Sequence, residues 1–214
     1  MIKQKAQALI LFLLNDISDK FDAISLKSLV DFLFKISEKI IIHFPKFLPF
    51  YIEYYADIIE QEISMINMTD SASILHIGCG SIPASSILLA KKTQAKILGI
   101  DLDFHAIKKA KICIKNMGLT KRVVVKQMDA LKSDLSSHKI ILISQGIIPK
   151  EIFMQKLADN LSLDQIIVLR SFSQDKSLDP SDEFLKNSYN ILDIFCHKKH
   201  GSTTSIVLKK KNKV

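Results

Sequence analysis

The sequence predicts a doubly wound α/β fold behind a small N-terminal helical domain, its mostly parallel seven-stranded sheet ending in an antiparallel hairpin. Three observations predict it. Up to about residue 68 the apolar residues keep helical spacing only. After Ser73 short apolar runs alternate with helical stretches, the mark of a parallel sheet covered on both faces. The last two runs are joined by a turn too short for a crossover, so they pair antiparallel.

The first helix is drawn from Ala6, Leu9, Ile10, Leu13, Leu14 and Ile17, and Ser25 is a candidate N-cap for a second. Leu26, Leu29, Val30, Leu33, Ile36, Ile40 and Phe44 form that second helix's apolar face. Pro45 and Pro49 bracket a break, and a third helix is expected over 50–66, with Tyr51, Tyr54, Tyr55, Ile58 and Ile59 on adjoining faces. Residues 67–71 are polar and read as a linker, which places a helical domain at 1–70 and the α/β domain at 71–214.

In the second domain the expected strands are 74–77, 96–100, 123–127, 140–144 and 165–169, then the pair 191–197 and 203–208 around Gly201. Helices are expected at 83–92, at 104–117, stopped by Gly118, and at 150–161, begun by Pro149. A parallel sheet closed by a hairpin is how Rossmann-like methyltransferase domains end.

Composition narrows the function. With 214 residues, 48% of them hydrophobic, the chain can bury one core and a smaller subdomain. The apolar runs 8–14 and 40–42 are too short to span a bilayer. The basic start is followed by a run broken at Asn15 and Asp16, which suits a helix and not a secretory leader. Cys79, Cys113 and Cys196 share no close spacing, which fits a reducing cytoplasm and offers no zinc framework. His197 and His200 are too isolated to argue a metal site. A net charge of +8 invites a nucleic-acid reading, but much of the excess lies in solvated lysines and the tail Lys209-Lys210-Lys211-Asn212-Lys213. No basic stripe interleaves with aromatics, so neither nucleic acid nor membrane is expected as a partner, and the positive surface suits anionic small molecules.

The chemistry concentrates after the first strand. In Gly78-Cys79-Gly80-Ser81 the glycines allow a tight turn and close approach of a ligand to the backbone. The second strand ends at Asp101, followed by Leu102 and Asp103, where a carboxylate would accept from ribose hydroxyls. Asp129-Ala130 follows the third strand, where such folds hold adenine, and Gln145 follows the fourth, at the cofactor mouth. Pro83 stands where a dinucleotide fingerprint needs its third glycine. These residues point to S-adenosylmethionine; a plain β-α turn with solvated aspartates is the bland alternative. Arg170, at a strand end, could fork onto a substrate carboxylate or merely make a surface ion pair.

The stretch from Gly78 to Lys91 resembles the glycine-rich loop of the nicotianamine synthases and their bacterial relatives that make opine-type metallophores. Leu119-Thr120-Lys121-Arg122-Val123, Val168-Leu169-Arg170-Ser171 and Pro49-Phe50-Tyr51-Ile52-Glu53-Tyr54 are similar to further segments of that family. The loop departs from the family pattern in Cys79, which stands for a serine, and Ser81, which stands for a proline.

The resemblance implies transfer of the 3-amino-3-carboxypropyl arm of S-adenosylmethionine to an amine, an amino acid or a second S-adenosylmethionine, with release of methylthioadenosine. It further implies a glutamate base and a tyrosine from the helical domain. Glu38, Tyr51 and Tyr54 are the expected residues, with Glu53, Glu60 and Glu62 competing for the role of base. A solvated Glu38 paired with Lys35 or Lys39 is the alternative. Methyl transfer to a small molecule or macromolecule and a non-catalytic nucleotide-binding module stay open, as does the oligomeric state.

Overall fold

The computed structural model describes residues 45–68, 72–147, 150–172, 183–198, 200 and 203–212. The first two expected helices, Glu38, Pro149 and Gly201 lie outside the described residues.

After a 3-10 turn at Pro45–Phe47, α1 (Leu48–Tyr54) starts with Pro49 in its first turn, where a missing N–H costs nothing. It is followed at once by α2 (Ala56–Met65). One helix was expected here; instead the turn tightens at Tyr55, whose N–H bonds Ile52 O at 3.0 Å, an i−3 partner. Ala56, Ile58, Ile59 and Glu62 make the buried face of α2. The spacing is helical, but one member of the apolar stripe is a carboxylate.

The sheet comprises β1 (Ser73–Ile77), β2 (Lys96–Asp101), β3 (Val123–Gln127), β4 (Ile140–Ile143), β5 (Ile166–Phe172), β6 (Tyr189–His197) and β7 (Thr203–Lys210). Its order is β3-β2-β1-β4-β5-β7-β6. β1 to β5 pair in parallel, and β7 inserts antiparallel between β5 and β6. The expected hairpin thus closes the sheet, with a register shift between Ile191 and Asp193. β5 runs three residues past its expected end because β7 continues the ladder to Phe172↔Thr203. The crossover helices are α3 (Ala84–Lys92), α4 (Phe104–Asn116) and α5 (Lys150–Asn160), and a six-residue helix that was not expected, α6 (Glu183–Ser188), precedes β6.

Alternation along β1 divides the core. Ile74 packs with Ile87, Ile107 and Ile114 of α3 and α4, and Tyr51, Ile52, Ala56 and Ile59 of α1 and α2 join the same cluster. Leu75 and Ile77 face the other way, toward Met154, Leu157 and Leu185. The described helical residues therefore share the core of the sheet, and α1 and α2 lie against α3.

Candidate functional site

β1 is flanked by β2 on one side and β4 on the other, so chain order reverses there. Open α/β sheets bind ligands beyond the strand carboxyl ends at such a point. The register shows why these residues meet. Ile77 pairs with Ile100 and with Ile143, and Ile143 pairs with Leu169. The residues that follow, Asp101, Gly78, Ser144 and Arg170, make one row across the sheet, and all four line a cavity of about 900 Å³.

The loop is folded by backbone hydrogen bonds. Gly78 N and Cys79 N both donate to Ile100 O, at 2.8 and 3.0 Å. Gly78 and Gly80 have φ of +74° and +67°, the left-handed region that a side chain resists. A Cβ on Gly78 would lie 2.8 Å from Ile147 Cδ1 and 3.3 Å from Ser144 Cβ. Asp101 buckles the turn: its Oδ2 accepts from Gly80 N at 2.9 Å and its Oδ1 from Asp103 N at 3.0 Å. Each carboxylate oxygen keeps a lone pair for a ligand hydroxyl. Asp103 caps α4 through His105 N, and Asp129 caps the turn Ala130–Lys132 through Leu131 N.

Gly78, Cys79, Gly80, Ser81, Asp101, Leu102, Asp103, Asp129, Ala130 and Gln145 all line the cavity, and so do Tyr51 and Tyr54. The tyrosines arrive on α1, beside Tyr55. The Tyr51 and Tyr55 hydroxyls are 3.5 Å apart, and the Tyr54 ring stands edge-on to Tyr55 and to His200, at 5.3 and 4.7 Å. Burial, reinforced by Tyr55, raises the Tyr54 phenol above its ordinary pKa. It is therefore a hydrogen-bond donor at neutral pH.

Arg170 lines the cavity, and the ion pair it makes is buried and not on the surface. It lies inside the β5–β7 ladder and is 4% exposed. Its Nε and Nη2 fork onto Glu62 Oε1 and Oε2, both at 2.7 Å, and Nη1 donates to Ser85 Oγ at 2.8 Å. Burial alone would lower the Arg170 pKa; the charge and hydrogen bonds of Glu62 outweigh it, and the net direction is upward. Glu62, read from the sequence as a competing base, is thus the internal partner of this guanidinium. Glu53 is exposed and Glu60 pairs with Lys92; among the described residues no glutamate lines the cavity.

The network extends further. Ser205 Oγ donates to Glu62 Oε1 at 2.7 Å and lies 2.9 Å from His197 Nε2. A carboxylate only accepts, so the serine proton points at Glu62 and His197 Nε2 must be the donor. His76 is buried on β1 between Ser86 Oγ (2.8 Å) and Ser144 Oγ (2.9 Å). Burial, helped by the nearby Arg170 charge, pushes its pKa down to about 3, and burial takes His197 down to about 4. Both rings are neutral at physiological pH. Sequence reading missed Glu62, Ser85, His76, His197 and Ser205 as one constellation. One signal was present: a glutamate on the apolar stripe of α2 needs a buried cation.

Among the described residues no group of three or more His, Cys, Asp and Glu side chains could hold a metal ion, and no helix is long and apolar enough to cross a membrane.

The family described as nicotianamine synthase protein matches residues 2–214. The chain belongs to the nicotianamine synthase family. Solved structures of MtNAS share its fold. A Glu-to-Gln mutant in complex with S-adenosylmethionine is 14% identical with a TM-score of 0.66, over 75% of this chain and 63% of that one. MtNAS in complex with MTA and tNA is 15% identical with a TM-score of 0.67, over 75% and 61%. This member of the family therefore spans less than two thirds of the length of those two chains. A putative S-adenosyl-L-methionine-dependent methyltransferase from Methanococcus maripaludis is 18% identical with a TM-score of 0.59, over 82% and 93%. No curated protein matches the chain by sequence.

Proposed function

We propose that this chain transfers the 3-amino-3-carboxypropyl group of S-adenosylmethionine to an amine acceptor and releases methylthioadenosine. One observation carries the reading beyond family membership: a single cavity is walled by the glycine loop and strand-end carboxylates on one side and by tyrosines of the helical part on the other. Adenosine lies along Gly78 to Ser81, with its ribose at Asp101 and its adenine toward Asp129 and Ala130. Leu102, Asp103 and Gln145 border it. The acceptor, an amino acid or a second S-adenosylmethionine, enters beneath Tyr51 and Tyr54.

In the transfer, the acceptor nitrogen attacks the γ-carbon of the arm. The Cγ–S bond breaks, its electron pair returns to sulfur, and neutral methylthioadenosine leaves. The enzyme's share is alignment, because attack at the methyl carbon would instead methylate. The acceptor ammonium must first lose a proton. Glu38 is the proposed base, since the glutamates that compete with it in sequence are exposed or committed to Arg170 or Lys92. Residues 1–70 act as the cover and 71–214 as the donor-binding domain. Buried Cys79 and Cys113 and exposed Cys196, none in a disulfide, suit a cytoplasmic enzyme.

The test is incubation with S-adenosylmethionine and candidate amino acids, with products identified by mass. Methylthioadenosine is expected. S-adenosylhomocysteine would make the chain a methyltransferase, and binding without either product a non-catalytic module. Glu38→Gln should bind the donor normally but turn over about 10²–10⁴-fold more slowly; unchanged turnover excludes Glu38 as the base.

A further inference from the structure

Asp101 and Arg170 mark the two ends of the row of residues across the sheet. They stand on β2 and β5, with β1 and β4 between. Three inter-strand spacings separate them, roughly 14 Å at about 4.8 Å each. That span suits a nucleoside anchored at Asp101 with an amino-acid arm reaching toward β5. At the far end stands Ser85, the second residue of α3, buried yet lining the cavity with Arg170.

The hydrogen atoms at this end can be assigned. Guanidinium only donates, so Ser85 Oγ is the acceptor in its 2.8 Å contact with Arg170 Nη1. Its own hydrogen then has no acceptor among the described residues. Arg170 has five N–H hydrogens, of which Glu62 and Ser85 take three. This end of the cavity therefore presents donors without matching acceptors. Because Glu62 offsets the Arg170 charge, selection rests on hydrogen-bond direction more than on net charge. A hydroxyl that accepts from a cation is itself polarised into a stronger donor.

We infer that Ser85, oriented by Arg170 and Glu62, is a specificity-determining residue that donates a hydrogen bond to the carboxylate of the aminocarboxypropyl arm. Glu62 and Arg170 are its positioning residues. The inference rests on the reading that the cavity takes S-adenosylmethionine.

Calorimetric titration of the full chain with S-adenosylmethionine, decarboxylated S-adenosylmethionine and methylthioadenosine tests it. Ser85→Ala should bind S-adenosylmethionine about tenfold or more weakly, the loss of one hydrogen bond to a charged group. The two ligands that lack the carboxylate should bind as they do to the parent, which also shows that the variant is folded. Ser85→Thr, which keeps the hydroxyl, should restore most of the S-adenosylmethionine affinity. Equal losses for all three ligands, no loss for any, or failure of threonine to rescue overturns the assignment. A parent chain that binds neither S-adenosylmethionine nor methylthioadenosine overturns the underlying reading, and does so before any substitution is made.

Discussion

The two ends of the cavity are built by different means. At the β2 end, the glycine loop is held by backbone N–H groups, to Ile100 O and to the Asp101 carboxylate, with partners no more than 22 residues away. At the β5 end, side chains hold side chains. Arg170 meets Glu62 across 108 residues and Ser205 meets Glu62 across 143. The first arrangement is set by local turn chemistry. The second exists only once the helical segment, β5 and β7 have all docked. The β2 end can thus form from neighbouring segments, whereas the β5 end waits for distant ones.

The largest expected effect comes from breaking the β5 end. Glu62→Ala or Arg170→Ala leaves a buried charge unpaired and should destabilise the chain by about 3–5 kcal/mol, read as a lower urea midpoint. Replacing both, Glu62→Leu with Arg170→Met, should recover most of that stability. If the single variants unfold like the parent, the pair does not hold the helical segment.

Breaking the β2 end should matter less to folding and more to ligand. Asp101→Ala removes the acceptor that buckles the loop and that, in the proposed placement, faces the ribose, so affinity should fall by about 1–3 kcal/mol. Titration should show equal losses for S-adenosylmethionine and methylthioadenosine, which share that half. Undiminished binding would place the adenosine elsewhere.

The most gradual effect is a slope. His76 is neutral in the folded chain, with its pKa pushed down to about 3, while an unfolded histidine titrates near 6.5. Between those values the unfolded state binds more protons, so stability falls as pH falls, by up to about 1.4 kcal/mol per unit. Below about 3 the penalty stops growing. Urea titrations from pH 7 to 4 should show a shallower acid limb for His76→Gln; an identical limb would mean that His76 carries no such linkage.

The same contrast explains what was legible in the sequence. The β2 end follows from short-range rules, glycines at a strand end and an acid one strand later, and each residue expected there lines the cavity. Tyr51 and Tyr54 came through a resemblance and also reach it. At the β5 end only the glutamate on an apolar stripe was legible, because nothing local ties Glu62 to Arg170 or Ser85. The buried setting of Arg170 was missed for a related reason. Its strand was expected to stop at residue 169, and the continuation depends on pairing with β7, beyond any short window. The tightened turn at Tyr55 has no proline or glycine to announce it.

The late insertion of β7 carries a consequence for synthesis. Chains fold largely from the N-terminal side as they emerge from the ribosome, and contacts distant in sequence form slowly. Glu62 is made early, but Ser205 of β7 comes 143 residues afterwards. Until then the charged pair lacks that wall, and β5 shows a bare edge of the kind that recruits other strands. The nascent chain is therefore most open to misassembly in the interval between the emergence of β5 and that of β7, and a chaperone that shields that edge would act there.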